Sequence, residues 1–538
     1  MTTVATDLGR PQPDSRPRWL LDLLDRHPAV LTLVVGLGVL LLPVSGPDLP
    51  AAEYRTELAR QHGLLAFDSS WYGGHSPIGY SVLFPLLAAL VGVALTGLLA
   101  AVLSSWAAGR LVPERGLAGA RWFRLSFAVA TCANLVVGRL PFALGLALGM
   151  VALVLLRDHR PWWAAAAAAG CSLASPLAGF FLLLVGVVCL GRARWRELLA
   201  LSPAVLGALI AAPYGGGGGR FPFPPGTFLA LACFVVLGLV FVPRSHVLVR
   251  RGLIAYAITA TALFVVPNPI GGNITRLGTL VAIPLALYVL LSSRRRAWLL
   301  ALAVPLAVWQ LAPVTGAVAA SAQDPSRSPA YYTGLLGYLH SQPDLAGRLE
   351  IPFTREHWES DYVAEQYPLA RGWDRQLDLQ HNQVLYGPLT SRTYHRWVDA
   401  NAVDLIALPD VPLDPSGQYE AQLLRRGLPW LTPVWSDAHW QVWRVRDPVP
   451  LVSGPASVLA QTVSTATLDV TEPGWVTLRI RYSSVWRTQD PTLCVRPDPQ
   501  GWIEFYAVNP GIVTLDTGLL APLRRQPACA VYTTAGTG

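Results

Sequence analysis

Three charged residues stand where an apolar chain tolerates charge least. Asp48 comes directly after the first long apolar stretch, while Arg139 (in Asn134–Phe142) and Arg276 (ending Val266–Arg276) each lie between two such stretches. An unpaired carboxylate at a membrane boundary is costly. A guanidinium there can hold a phosphate by paired hydrogen bonds, contact a lipid headgroup, or pair with Asp48 itself; the sequence leaves these open. Asn273, three residues before Arg276, opens an Asn-Ile-Thr sequon, which is weak information alone.

The segment after Asp48 is the richest in reactive side chains. It carries Glu53, Tyr54, Arg55, Glu57, Arg60 and His62, then Asp68, Trp71, Tyr72 and His75. The spacing of Glu53, Glu57 and Arg60 predicts an amphipathic helix on a membrane face, with Trp71, Tyr72 and Tyr80 as interfacial aromatics. An anchor with solvated charges explains the same residues without a site. A second polar and aromatic stretch runs from His357-Trp358-Glu359 through Arg371, Trp373 and Asp374 to His381-Asn382. Trp faces stack on sugar rings, and Asp, Asn and Arg bond hydroxyls, so carbohydrate contact is one reading. Trp373 filling a domain interface is the other. Neither CxxC nor HExxH occurs, so no structural zinc or metalloprotease site is expected; no cofactor is expected, and the use of a divalent metal is left open.

These residues need elements to hold them, and arginine placement defines those elements. Clusters at Arg110–Arg124, Arg157–Arg160, Arg192–Arg196, Arg244–Arg251 and Arg294–Arg296 are each followed by two apolar stretches before the next. Short Arg-rich loops stay cytoplasmic. About eleven spans follow, near 28–46, 79–109 (broken near Gly92), 125–138, 140–156, 162–175, 177–191, 198–213, 226–243, 252–267, 277–292 and 298–318. The N-terminus is then inside, and everything beyond residue 320 is extracytoplasmic. Arg139 and Arg276 break the cytoplasmic pattern.

Composition agrees. Mean hydropathy is +0.40, with 52% hydrophobic and 14% charged residues, too apolar for a soluble chain of 538 residues. The net charge of +8 is spread between apolar stretches rather than pooled, which argues against nucleic acid as a partner. Arg supplies all 41 basic residues, consistent with the codon usage of a GC-rich bacterial genome.

The expected architecture is an α-helical polytopic membrane protein with two regions after it. Residues 1–27 form a cytoplasmic tail, 28–319 the membrane domain with a long first outer loop at 47–78, 320–447 a mixed α/β domain, and 448–538 a small β-sandwich. Helices are expected near 329–342 and 394–401, and strands at Leu349–Pro352, Val403–Leu408 and His439–Val445. Alternation places further strands at 466–470, Trp475–Tyr482, 492–496, Trp502–Val508 and Ile512–Leu515. Cys494 and Cys529, the two cysteines outside the apolar part, are disulfide candidates in an oxidising compartment.

The segments DLPAAEYRTELARQHG, WYGGHSPIGYSVLFP, GRLPFALGLALG, PIGGNITRLG and YPLARGWDRQLDLQHN (Tyr367–Asn382) carry a resemblance. The chain resembles the GT-C superfamily of polytopic glycosyltransferases, and within it bacterial, often actinobacterial, membrane proteins described as 6-pyruvoyl-tetrahydropterin synthase-related. The resemblance implies a GT-C-like fold in the plasma membrane and a polyprenyl-phosphate sugar as donor. It also implies an envelope glycan or lipid as acceptor, and Asp48, in the first outer loop, as base. Arg276 and Arg139 would hold the donor phosphate. A transporter or flippase of envelope precursors and a non-catalytic envelope scaffold are the rival classes. A transporter is expected to show paired internal repeats, and none is evident.

Overall fold

The computed structural model describes residues 18–112, 118–190, 194–214, 219–292, 297–322, 324–342, 347–490 and 493–521. Most of the expected tail, the Gly215–Gly218 run, the Arg294–Arg296 cluster and Cys529 lie outside these residues.

Helices dominate the first part. α1 (Arg18–Arg26) meets α2 (Pro28–Leu40) at 95° across His27, because the residue before a proline is pushed out of the helical region. α3 (Leu49–His62) follows, then α4 (Leu83–Val91) and α5 (Val93–Leu111), separated at Gly92, whose φ of +93° only glycine adopts readily. Next come α6 (Ala118–Ala130), α7 (Ala133–Val137), α8 (Leu140–Arg157), α9 (Pro161–Ala174), α10 (Pro176–Leu190), α11 (Trp195–Leu201) and α12 (Leu206–Ala211). α13 (Pro225–Phe241), α14 (Val247–Val265), α15 (Thr275–Ser292) and α16 (Ala297–Ser321) complete the bundle.

Five helical stretches are long and apolar enough to cross a membrane, six if the bent α1–α2 pair is one span. Exposed Leu90, Leu99, Val236 and Ile258 give the bundle an apolar outer surface. The chain is therefore a membrane protein by its helices. The expected eleven crossings are not reached among the described residues: α10 and α13 are shorter apolar helices, and α6, α7 and α9, at the expected spans 125–138 and 162–175, are shorter than the ~20 residues a span needs. Small residues let the helices approach closely; a Cβ on Gly145 would lie 2.6 Å from that of Ala178.

Beyond the bundle, α17 (Pro329–His340) and β1 (Arg348–Glu350) lead through α18 (Glu359–Tyr362), α19 (Arg375–His381) and α20 (Ser391–Ala400) to β2 (Val403–Pro409). α21 (Gln418–Arg426), β3 (Leu431–Ser436) and β4 (Trp440–Val445) finish a sheet ordered β1-β2-β4-β3, with β1 and β2 parallel. All seven residues of β2 are buried, in keeping with a run that is apolar except for Asp404. The β-rich end holds β5 (Val452–Ser453), β6 (Ala456–Gln461), β7 (Thr465–Val470), β8 (Gly474–Arg481), β9 (Trp486–Thr488), β10 (Arg496–Pro497), β11 (Trp502–Ala507) and β12 (Gly511–Thr517). They form two sheets, β10-β11-β8-β5 and β6-β7-β12-β9. Leu478, Ile480, Ile503 and Phe505 of one sheet share a core with Leu468, Val470 and Leu515 of the other. Cys494 is disulfide-bonded.

The segment between α2 and α4 joins all of these parts. Its backbone bonds link Ser69 to Val463, Ser70 to Leu369, Gly73 to Arg481 and Val82 to Leu173. This corrects one expectation. α3 forms as a helix, but Ala51, Ala52, Tyr54, Arg55 and Leu58 are buried, and Trp71 and Tyr72 are 0% and 1% exposed. Their apolar surface is covered by the α/β region, where Trp71 donates to the Ser360 carbonyl. They are core residues, not interfacial anchors.

Candidate functional site

Asp48, Arg139 and Arg276 come from three separate places in the sequence and meet. Asp48 precedes α3, Arg139 precedes α8, and Arg276 lies in the first turn of α15. The Asp48 Oδ2 atom is 3.2 Å from Arg139 Nε and 3.8 Å from Arg276 Nη2. Close backbone approach makes this meeting possible. Gly138 has φ +82°, and a Cβ there would lie 2.4 Å from the Leu49 amide nitrogen. A Cβ on Gly46 would likewise lie 2.4 Å from the Val137 carbonyl oxygen. The Nε of Arg276 is buried without a hydrogen-bond partner among the described residues.

Tyr80 connects this triad to open space. Asp48, Arg276, Arg55 and Asp374 all act electrostatically on its hydroxyl, and the Arg55 guanidinium lies over its ring at 4.1 Å. Arg55 also approaches Asp374 at 3.5 Å, and its Nε and Nη1 are buried and unfilled. Tyr80 and Asp374 line a cleft of about 790 Å³. The remaining walls come from the loop at Phe67 and Gly74–Ser76, from α19 (Gln376, Leu377, Gln380, His381) and from Arg481–Ser484 and Gln500–Gly501 of the β-rich end. Tyr214 and Pro269, at the ends of bundle elements, close it.

Tyr54 donates to Asp68 at 2.9 Å and stacks on Trp71, which stacks on His75. His75 is buried, and desolvation pushes its imidazole below the usual value against the pull of Asp68, leaving it neutral. Tyr72 bonds the Gly372 carbonyl and accepts from the Asp374 amide, fixing Asp374 at the cleft. Of the expected loop residues, His75 reaches the cleft wall, while Tyr54, Asp68, Trp71 and Tyr72 form the layer behind it. Glu53 faces Asp361 and Tyr362 of α18 instead. Asn273 sits in the short turn Gly271–Ile274 that delivers Arg276.

The expected carbohydrate residues divide. Asp374 lines the cleft. Trp373 stacks on His357 with ring centres 3.4 Å apart, and Trp358, 7% exposed, stacks on Tyr362. Arg371 is 1% exposed and bound in two hydrogen bonds to Asp378, at 3.0 and 2.7 Å. Glu420 lies 3.7 Å from Arg371 and bonds Tyr394. Burial, then the charge of neighbouring Glu420, pushes the Glu350 carboxyl well above the usual range. Arg371 and Trp358 are therefore enclosed by protein, Trp373 is half-buried, and none of the three lines the cleft.

Among the cleft residues, Arg481 and Gln500 lie outside the stretches expected to form a site, Tyr80 is expected only as an interfacial aromatic, and Gln376, Gln380 and His381 fall within the expected polar stretch without a role of their own. One signal was present: Arg479 and Arg481 alternate with Leu478 and Ile480, so both lie on one strand face. Among the described residues, no group of three or more His, Cys, Asp or Glu side chains is placed to hold a metal ion.

Fold and site define a membrane protein whose helix bundle and β-containing C-terminal region share one polar cleft. No protein-family model matches the chain, and no curated protein matches it.

Proposed function

We propose that this chain is a glycosyltransferase of GT-C type in a bacterial plasma membrane. It would move a sugar from a polyprenyl-phosphate donor to an envelope glycan or lipid on the extracytoplasmic side. The observation that carries this reading is a carboxylate, Asp48, shared by two guanidiniums, with Nε of Arg276 and Nε and Nη1 of neighbouring Arg55 unfilled, beside a cleft of oligosaccharide size. Buried N–H groups without partners are rare and costly, and a phosphate is the group that fills several at once.

The donor phosphate takes the Arg276 and Arg139 guanidiniums from Asp48. The released carboxylate then accepts the proton of an acceptor hydroxyl at Tyr80 and Asp374. The acceptor oxygen bonds the anomeric carbon as the bond from that carbon to the phosphate oxygen breaks. Polyprenyl phosphate leaves with the electron pair, its charge held by the two arginines. The apolar bundle surface suits a polyprenyl tail.

The test uses full-length protein in lipid nanodiscs with a panel of synthetic polyprenyl-phosphate sugars and envelope glycan fragments as acceptors. Polyprenyl phosphate release is measured. Wild type should consume at least one donor, and Asp48→Asn should lower that rate by about 10²–10⁴, the usual contribution of a general base. Arg276→Gln should raise the donor concentration required. No donor consumed above protein-free nanodiscs, or an Asn variant as fast as wild type, removes the reading.

A further inference from the structure

The β-rich end presents to the cleft the positive charge of Arg481, which Asp498 opposes from beyond ion-pair distance. Arg479 and Arg481 share one face of β8, and Arg348 of β1, in the sheet of the α/β region, reaches them with its side chain. The Arg348 side chain donates to the carbonyls of Asn401 and Arg479. Arg481 and Arg348 both lie over the Trp502 ring, at 3.7 and 5.6 Å from its centre. Gly73 permits this crowding: its φ is +72°, and a Cβ would lie 2.8 Å from Arg348 Nη2 and 2.9 Å from Trp502. Among the described residues, no carboxylate lies within ion-pair distance of any of these three arginines.

An uncompensated buried cation is expensive, and its effects spread through the cluster. Burial, then Arg481 and Arg479, push Arg348 down to about 9. Burial pushes Arg481 down to about 10, and Asp498 opposes it. His381, on the same cleft wall, is pushed down to about 3 by burial and then by Arg481, so it stays neutral. The cleft lining holds one carboxylate, Asp374, already committed to Arg55. Arg481 spends Nε on the Tyr72 carbonyl and Nη1 on the Gln500 carbonyl. Its Nη2 makes no hydrogen bond among the described residues.

We infer that the cleft binds an anionic glycan, with the carboxylate or phosphate of the ligand bonded to Arg481 and its neutral sugars along Gln376, Gln380 and Gln500. Arg348 stands behind Arg481 as a second positive charge that adds field without contact. Trp502 fixes the Arg481 guanidinium plane, as stacking does for arginine. This inference rests on reading the cleft as the acceptor site, but its binding test needs no transfer reaction.

Binding is measured by calorimetry on full-length protein in phosphatidylcholine nanodiscs. The probes are trigalacturonic acid, its methyl ester, and a glycerol-phosphate oligomer. The acid or the phosphodiester should bind at least ten times more tightly than the ester, and added salt should erase that advantage. Whichever anion binds more tightly identifies the ligand's charged group. Arg481→Gln should lower anion affinity about 10–100-fold while leaving ester binding unchanged, as expected for losing a charge-assisted bond; Arg481→Lys should retain part of it. Equal binding of acid and ester by wild type overturns the inference, even if the Gln variant fails to fold. So does a folded Gln variant that binds the acid like wild type. Loss of acid binding on changing to phosphatidylglycerol nanodiscs would instead assign Arg481 to lipid headgroups. Anion binding without sugar transfer would remove the transferase reading and leave this one standing.

Discussion

Two carboxylate–guanidinium centres in this molecule use the same chemistry to opposite ends. At Arg371 every charge is enclosed. Asp378 receives both arginine bonds, a bond from Asn382 at 2.9 Å and one from Tyr386 at 2.5 Å, and is itself 0% exposed. At Asp48 the side chains of Asp48, Arg139 and Arg276 are 22%, 23% and 14% exposed, the contacts are longer, and a donor of Arg276 is unfilled. Displacing a partner from the first centre would strand a charge in the core. Displacing Asp48 from its arginines costs little where another anion can enter from the cleft. Both centres leave a guanidinium donor unfilled, Nη1 of Arg371 and Nε of Arg276, so full enclosure marks the centre that holds structure and access to open volume marks the one that can exchange ligands.

The contrast is broken or kept by paired substitutions. Asp48→Asn should cost about 10²–10⁴ in turnover but no more than about 1 kcal/mol in unfolding free energy, as for partly exposed ion pairs. Arg371→Met should do the reverse. It strands Asp378 and Glu420 without their cation, which costs about 3–5 kcal/mol for a buried pair, read as a fall in thermal midpoint. If Asp48→Asn unfolded the protein as readily as Arg371→Met, the two centres would be alike and both structural.

The Asp48 centre was legible in the sequence because its residues violate a pattern. Arg139 and Arg276 sit in loops where the surrounding arginine rhythm forbids them, and Asp48 ends an apolar run. Strands such as β2 and β8 were legible from their patterns, since burial on both faces or on one leaves a nearly continuous or an alternating apolar run. The cleft was not. Arg481 reads as an ordinary outward residue of an alternating strand, and its meaning comes from Tyr72 and Gly73, more than 400 residues earlier. Trp71 and Tyr72 misled because a Trp-Tyr pair after an apolar stretch has the same composition whether lipid or a later domain covers it. The YPLARGWDRQLDLQHN stretch was half right. Its helix, α19, turns Gln376, Gln380 and His381 to the cleft and Asp378 to the core, a division set by helical period rather than by residue type.

Gly138 sharpens the comparison from the backbone side. An alanine there must adopt φ near +82° and place a Cβ against the Leu49 amide. Strain and overpacking together should cost about 1–3 kcal/mol. The larger consequence should be functional: pushing α3 from the α7–α8 turn separates Asp48 from Arg139 and should lower turnover about 10-fold. A Gly138→Ala variant with unchanged turnover and lower stability would show that the ion pair's geometry is not used.

A third acidic group has no guanidinium against it, which makes it the limiting case. Asp361 of α18 is 4% exposed, its Oδ1 is unfilled, and it faces Glu53 and Glu57 of α3 and Glu365 of its own segment. Burial, then those three carboxylates, pushes its pKa from 3.8 to about 8. Between these values the folded protein keeps a proton that the unfolded chain releases, so stability is full below about pH 4 and declines up to about pH 8. The slope from this one group is at most about 1.4 kcal/mol per pH unit. Asp361→Asn removes the titration without adding charge, so its thermal midpoint should fall less than that of wild type between pH 5 and pH 8. Above pH 8 the variant should be the more stable of the two. Parallel curves for the two proteins would mean that Asp361 is ionised in the fold, and that a carboxylate here, as at Asp48 and Asp378, has found a cation.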